Sequence, residues 1–178
     1  KKQKMDRDDI VDITDFDVVA WIKSEMRMML NEEIARAILI GDGRTNVDDD
    51  KISEEHIRPI VSDAPLFTIK AAVAKEDTDE KTAKNFMKAA IKARKDYKGS
   101  GNPDFYCTPH LVNVMLLARD LNGRRIYDNI NELKAALNVN EIITAEQYAG
   151  KTRTATVNST EHTYELLGLL VNFADYSL

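Results

Sequence analysis

The stretch from Ile13 to Arg44 constrains the fold most, because it predicts one long helix whose two ends are both marked in the sequence. Thr14 is a typical N-cap residue, and acidic residues follow it in the first turn, where the helix dipole favours them. Gly41 stands where a left-handed residue usually ends a helix, so we expect it to have positive φ. Gly43 marks the turn that follows. The predicted helix has about 26 residues and is about 39 Å long.

This helix has apolar residues on two separate faces. At about 100° per residue, most of them fall on one arc of about 180°. That main arc consists of Phe16, Val19, Ala20, Ile22, Met26, Met29, Leu30, Ile34, Ala37, Ile38 and Ile40. A second, narrow stripe inside the polar face consists of Trp21, Met28 and Leu39. Either a loop of the same domain covers this stripe or another chain does, because exposed apolar patches usually mark interfaces. We expect the three side chains to stay partly exposed in the isolated chain.

The composition limits the class of protein. A chain of 178 residues with 43% hydrophobic residues can form one large domain or two small ones with a real core. The net charge of −5 does not indicate a basic nucleic-acid-binding surface at the level of the whole chain. The single cysteine, Cys107, excludes an internal disulfide framework and fits a reducing cytosol. No apolar run approaches the ~18 residues of a membrane span, and no secretory signal pattern is visible.

Helices and strands are predicted to alternate irregularly, which indicates an α+β fold. Helices are predicted at Asp79–Lys98, capped by Asp77 or Thr78, at His110–Ala118 after the Thr108-Pro109 cap, and at Ile130–Leu137. Strands are predicted at Phe67–Val73, Phe105–Cys107, Val139–Thr144 and Thr163–Tyr176, the last interrupted by Gly168. Lys151–Ser159 is predicted to be a loop, and Asn122-Gly123 a tight turn.

No pattern in the sequence indicates catalysis or metal binding. The histidines His56, His110 and His162 are far apart, and none has a second histidine or a cysteine at metal-ligand spacing. Cys107 lies in a predicted buried strand, which disfavours a reactive thiol. The serines lack the G-x-S-x-G pattern. We therefore assign no catalytic, cofactor-binding or metal-binding residue.

Two charged clusters have structural explanations. The acidic segment Asp42–Lys51 lacks the glycine and the closing glutamate of a calcium loop, so a solvated loop is favoured over a cation site. The basic residues Lys88, Lys92, Arg94, Lys95 and Lys98 surround the end of a predicted helix. Favourable charge at a helix C-terminus is preferred there over contact with nucleic acid.

The segment Asn31–Arg44 resembles the end of the long spine helix, with its Gly-Asp-Gly turn, in the major capsid proteins of tailed bacteriophages. That family has the Hong Kong ninety-seven fold. The order of the elements that follow is also similar to this family. The similar pieces are Asp79–Lys98, Phe105–Pro109, His110–Ala118, the Arg119–Arg124 segment, Ile142–Thr144 and Leu169–Tyr176.

The resemblance implies a structural protein and not an enzyme. It implies a spine helix with part of a peripheral subdomain in 1–60, an axial subdomain in 61–150, and a return strand of the peripheral subdomain in 151–178. Copies of the chain would form pentamers and hexamers in the icosahedral shell of a tailed phage or prophage. Scaffold, protease and portal proteins would be partners during assembly in the bacterial cytoplasm. Packaged DNA would be contacted only non-specifically inside the virion, with no cofactor and no membrane.

The chain departs from the family in front of the spine helix. An N-terminal arm and an extended hairpin precede this helix in the family, and only Lys1–Asp12 precedes it here. Some relatives cross-link their subunits through a lysine and an asparagine, and that hairpin carries the lysine. Because only Lys1–Asp12 precedes the helix here, we assign no cross-linking residues. We expect the isolated chain to be a monomer or small oligomer, and the full-length protein to form rings or shells.

Two other functions remain open at this point. One is a ligand-binding or enzymatic α+β domain whose site assembles from scattered residues; a deep pocket with a perturbed titratable group would favour it. The other is a shell protein of a cellular compartment with the same fold.

Overall fold

The computed structural model describes residues 18–44, 47–53, 56–120, 122–157 and 159–175. The predicted N-cap Thr14 and the arc residue Phe16 lie outside these ranges. The chain divides into two compact units, 1–62 and 63–178. The first unit contains helix α1, Val18–Ile40, whose 23 residues span about 35 Å. A short 3-10 helix, Ile60–Ser62, contacts α1.

Helix α1 ends at the predicted glycine. Gly41 has a φ of +87°, as predicted, and its N–H donates to the carbonyl of Ala37 at 3.2 Å. This single bond from the residue after the helix to the carbonyl four residues earlier is the left-handed capping motif. Gly43 also has positive φ, +74°, so the chain turns sharply away from the helix.

The second unit is a mixture of helices and short strands. Its helices are α2, Asp79–Ala93; α3, Pro109–Leu117; and α4, Ile130–Leu137. Its strands are β1, Asp104–Cys107; β2, Ile142–Thr144; β3, Thr152–Val157; β4, Thr160–Glu165; and β5, Gly168–Val171. Single 3-10 turns occur at Arg94–Asp96, Glu146–Tyr148 and Phe173–Asp175.

The strands form two separate sheets. In the first, β1 lies between β2, which is parallel to it, and β5, which is antiparallel. Phe105 on β1 is opposite Ile142 on one side and Leu170 on the other. The second sheet is the antiparallel pair β3–β4, with Thr152 opposite Glu165.

Local capping explains where the helices of this unit begin and end. The Thr78 hydroxyl accepts the N–H of Lys81 at the start of α2, and the Thr108 hydroxyl accepts that of Leu111 at the start of α3. Both caps were predicted, as were the bounds of α4. Helix α4 ends at Asn138, which has a φ of +55°.

The core of the second unit lies where α2, α3 and α4 pack on β1. Phe105 and Cys107 of β1 are fully buried, and the rings of Phe86 and Phe105 stack with their centroids 5.4 Å apart. The other buried members are Ala83, Met87, Ala90, Leu111, Val112, Val114, Met115, Leu133, Leu137 and Val139. The 3–4 spacing of apolar residues in each helix produces these buried faces.

Two predicted elements are shorter than expected: the helix Asp79–Lys98 ends at Ala93, and the strand Val139–Thr144 consists only of Ile142–Thr144. Two strand predictions and one loop prediction are wrong. Phe67–Val73 is not a strand; Phe67 and Ile69 are exposed there. Lys151–Ser159 is not a loop, because β3 occupies most of it and pairs with β4. Thr163–Tyr176 is not one strand: β4 and β5 belong to different sheets and are separated by Leu166 and Leu167. β5, which lies in the segment interpreted as a peripheral return strand, is in one sheet with β1.

Candidate functional site

The proposed interface stripe on α1 is only partly exposed. Met28 is 54% exposed and Trp21 is half-buried, but Leu39 is 2% exposed, so the expectation for Leu39 is wrong. Angular placement on a helix cannot show that the chain returns beside the helix end. The chain returns to the end of α1 at Pro59, because a Cβ added to Gly41 would lie 3.3 Å from Pro59 Cγ.

The main apolar arc of α1 is also largely exposed. Of its described members only Ala37 is buried, whereas Met26 and Leu30 are exposed to nearly the same degree as Met28. We call Met26, Met28 and Leu30 the α1 surface. A helix that carries apolar residues on most of its circumference is normally covered. The α1 surface is therefore the strongest candidate for contact with another chain.

The turn after α1 is built around the Asp42 carboxylate, whose side chain is 1% exposed. Oδ1 accepts hydrogen bonds from Lys51 Nζ at 2.8 Å and from the Arg44 N–H at 3.2 Å. Oδ2 accepts one from the Ile52 N–H at 2.8 Å. The Arg44 guanidinium in turn pairs with Glu33 at 2.6 Å and with Asp50 at 3.1 Å. The turn is thus tied both to α1 and to the 47–53 segment.

These contacts fix the charge of Asp42. Burial alone raises the pKa of this carboxyl, but the hydrogen bonds from Lys51, Ile52 and Arg44 outweigh burial and lower the pKa from 3.8 to about 2. The carboxylate is thus ionised and already satisfied by one ammonium and two backbone donors. It is an organising group of the turn and not a vacant cation ligand. No cluster of three or more His, Cys, Asp or Glu side chains suited to a metal ion occurs in the described ranges.

The predicted turn at Gly123 is the tip of a small hairpin. Gly123 has a φ of +78°, and its N–H donates to the carbonyl of Asp120 at 3.1 Å. The Asp120 carboxylate accepts hydrogen bonds from the backbone N–H groups of Asn122 and Arg124. The backbones of Arg119 and Arg125 pair in an antiparallel β-bridge across the hairpin. The hairpin contains three arginines, Arg119, Arg124 and Arg125.

The histidines and the cysteine lie in structural settings. His110 pairs with Asp79 at 2.9 Å on the surface, and the His162 ring lies 6.2 Å from that of Tyr164. His56 is exposed in the first unit. Cys107 is fully buried in β1, as predicted, and burial raises the pKa of its thiol to about 12. It is therefore a protonated core residue at neutral pH.

One serine is bonded to a carboxylate. The Ser100 hydroxyl donates to Asp175 at 2.6 Å, and the Ser100 N–H donates at 2.8 Å. These bonds from Ser100 lower the pKa of Asp175, and Asn172 donates a further bond at 3.0 Å. Within the described part of the chain, no histidine joins this cluster. The group connects the turn after α2 to the segment after β5.

Helices α2 and α3 border an apolar groove of about 160 Å³. Its lining is Ala83, Lys84, Met87, Lys88, Ile91, Met115, Ala118, Ile126 and Tyr127. The lining contains no carboxylate, histidine or cysteine, so it offers binding surface and no acid–base pair. Ile91 continues the 3–4 spacing of the buried residues Ala83 and Met87, which predicts that it is buried too, but its side chain is 50% exposed at the groove.

No helix in the described part of the chain is long and apolar enough to cross a membrane. Comparisons with family models, with curated proteins and with solved structures found no match.

Proposed function

We propose that this chain is a structural protein, the major capsid subunit of a tailed phage or prophage, which assembles with copies of itself into an icosahedral shell. The observation that carries the proposal is the long helix α1. It leaves Met26, Met28 and Leu30 exposed, and it ends in the Gly41-Asp42-Gly43 turn.

The exposed apolar side chains support assembly. Met26 and Leu30 are four residues apart and form a patch on one face of α1, whereas Met28 lies on the narrow stripe on the other side of the helix. Burying such a patch against another subunit removes apolar area from water at about 25 cal/mol per Å². Subunits of a shell are surrounded by neighbours, so apolar exposure in one subunit is expected.

The turn after α1 supports the resemblance in a physical way. Gly41 is needed for its positive φ, and Asp42 is needed because it accepts three hydrogen bonds where solvent does not reach. A Gly-Asp-Gly sequence in this position therefore specifies one geometry. Two residues of the motif on which the resemblance rests, Gly41 and Asp42, thus have structural roles in the turn.

The order of elements in the second unit gives further support. Helix α2, strand β1, the Thr108-Pro109 cap, helix α3 and the Arg119–Arg125 hairpin follow one another in the order that the resemblance implies. Helix α4 and strand β2 come next. The proposal carries the family's partners with it: pentamers and hexamers of the same chain, with scaffold, protease and portal proteins during assembly. The net charge of −5 suits a wall that contacts packaged DNA only non-specifically in the virion.

The alternative of an enzyme or ligand-binding domain has less support. The α2–α3 groove, at about 160 Å³, is smaller than the ~300–1,000 Å³ of typical ligand sites. Its lining also lacks carboxylates, histidines and cysteines.

The proposal is tested by substituting the α1 surface in the product of the complete open reading frame. Met28→Glu should abolish assembly, seen by light scattering and electron microscopy, because it places a charge in an interface. Met28 is exposed, so the thermal unfolding of the variant should be unchanged. Val47→Glu is the matched control, since Val47 is an exposed apolar residue of the same unit. Normal shells from Met28→Glu and from Leu30→Glu would remove the α1 surface from the account. If the shells formed in infected or induced cells contain no DNA, the result would favour the alternative that the chain is a shell protein of a cellular compartment.

A further inference from the structure

The α2–α3 groove has a floor of apolar side chains and a basic rim. Met87, Met115 and Ile126 are part of the lining, while Lys84 and Lys88 of α2 stand at its edge. Its volume of about 160 Å³ is close to that of a cavity that holds one benzene ring, ~150 Å³. The groove is thus large enough for one large apolar side chain and too small for a folded element.

The positive charge around the groove is concentrated and unneutralised. Lys81, Lys84, Lys88 and Lys92 recur at helical spacing on the exposed side of α2, and none forms an ion pair with another described residue. The segments 79–98 and 118–127 together hold ten basic and four acidic residues, in a chain whose net charge is −5.

The neighbouring hairpin adds to this charge. Ala118 and Ile126, which flank the hairpin, line the groove, so the hairpin that carries Arg119, Arg124 and Arg125 begins and ends beside it. The Asp120 carboxylate, its one acidic group, accepts two backbone N–H groups of the hairpin itself. A partner of opposite charge would relieve the repulsion among these cations.

We propose that the α2–α3 groove binds an acidic amphipathic helix of a partner protein, which places one large apolar side chain in the groove and its carboxylates along the lysines of α2. Helix-in-groove recognition uses apolar anchors at i, i+3, i+4 and i+7, and the flanking charges select the partner. Here the groove accepts one apolar anchor, and the lysines of α2 provide the flanking charge. Nucleic acid fits less well, because phosphates would contact the lysines and leave the apolar floor exposed. The proposal does not depend on a capsid function.

The probe is a fluorescein-labelled peptide of Glu, Ala and Leu, about 18 residues or five turns long, with its leucines at 3–4 spacing. One control peptide has the same composition with the leucines scrambled, and another has Lys in place of Glu. Binding to the 178-residue chain is followed by fluorescence anisotropy. We expect micromolar binding of the patterned acidic peptide that weakens about tenfold between roughly 50 and 300 mM salt. The two control peptides should bind at least about tenfold more weakly.

Matched variants separate the apolar and the basic parts of the groove. Lys88→Glu and Ile91→Gln should each weaken binding about tenfold, whereas Lys70→Glu and Leu117→Gln should stay within about twofold. All four residues are exposed, and Lys70 and Leu117 are not part of the lining, so thermal unfolding should be alike in the four variants. Equal binding of patterned and scrambled peptides, equal effects of all four variants, or no peptide binding up to millimolar concentration would each overturn the proposal. So would duplex DNA that binds more tightly than the peptide.

Discussion

The Asp42 carboxylate and the Lys51 ammonium form a hydrogen bond of 2.8 Å in which the acid is 1% exposed and the lysine 16% exposed. This pair connects the turn after α1 to a segment nine residues further along the chain. Because the carboxylate also accepts the Ile52 N–H, the 47–53 segment has both a side-chain and a backbone attachment to the turn. Asp42 therefore determines the path that the chain takes when it leaves α1.

Replacing Asp42 should destabilise the chain measurably. Asp42→Ala removes the acceptor of the partly buried Ile52 and Arg44 N–H groups and the carboxylate that is bonded to Lys51, and we expect a loss of about 2–3 kcal/mol in the free energy of unfolding. Asp50→Ala is the control, because that carboxylate is exposed and pairs with Arg44 at the surface. The control should lose less than about 1 kcal/mol. Chemical denaturation measures both values, and equal losses would show that Asp42 has no special role.

The same carboxylate gives the chain a defined acid sensitivity. Its pKa is about 2 in the folded state, below the ordinary value of 3.8. A lowered folded-state pKa means that ionised Asp42 stabilises the fold fully above about pH 4, and that this contribution is lost as the pH falls towards about 2. Asp42→Asn cannot titrate, so its stability should fall less than that of the unmodified chain over this interval. Parallel pH profiles for the two proteins would contradict the assignment.

Gly41 should tolerate asparagine better than alanine. Its φ of +87° is unfavourable for any residue with a Cβ, but asparagine enters the left-handed region more readily. Gly41→Ala should cost about 1 kcal/mol. Both side chains would meet Pro59, at 3.3 Å from the added Cβ, so the difference between the two variants reports on φ and not on crowding. Thermal unfolding measures the difference. A Gly41→Ala variant with an unchanged melting temperature would refute the prediction.

Gly168 should be required by the Phe105 ring on the neighbouring strand. A Cβ at Gly168 would lie 2.5 Å from Phe105 Cε2 and 3.1 Å from the Tyr106 carbonyl oxygen. Overpacking of this kind costs about 1–3 kcal/mol, and we expect Gly168→Ala to fall at the upper end. In a Phe105→Leu background the clash is reduced, so the same substitution should cost at least about 1 kcal/mol less. A double-mutant cycle measures this coupling, and additive effects would exclude the contact as the cause.

Cys107 should be unreactive in the folded chain. It is fully buried and its pKa is raised to about 12, so both access and thiolate formation are suppressed. Ellman's reagent should label it on the order of 100-fold more slowly in native conditions than in denaturant, where one thiol per chain should react. Rapid native labelling would show that β1 opens readily or that the thiol is active.

Short-range signals predict three helix ends of this chain, although α2 ends at Ala93 and not at the predicted Lys98. Thr78, Thr108 and Gly41 act through bonds to residues three or four positions away, so the local sequence contains all the necessary information. The same holds for the Gly123 turn, which is closed by Asp120 within the hairpin.

Features that depend on distant partners could not be predicted in this way. Strand β3 has β-branched residues at alternate positions, Thr152 and Thr154, but its polar residues led to the prediction of a loop. It is a strand because it pairs with β4, which is a separate segment of the chain. Phe67–Val73 has strand-forming residues and no partner strand among the described elements. Leu39 is buried where the chain turns back near Pro59, which periodicity along one helix cannot show. The groove beside Ile91 likewise requires α2, α3 and the hairpin to meet.

We propose that this chain is the building block of a shell, and electron microscopy of the product of the complete open reading frame would show such shells. We expect rings or closed shells built of fivefold and sixfold clusters of the chain. A complete product that stays monomeric at every concentration and salt, with and without the products of neighbouring genes, would contradict the capsid assignment.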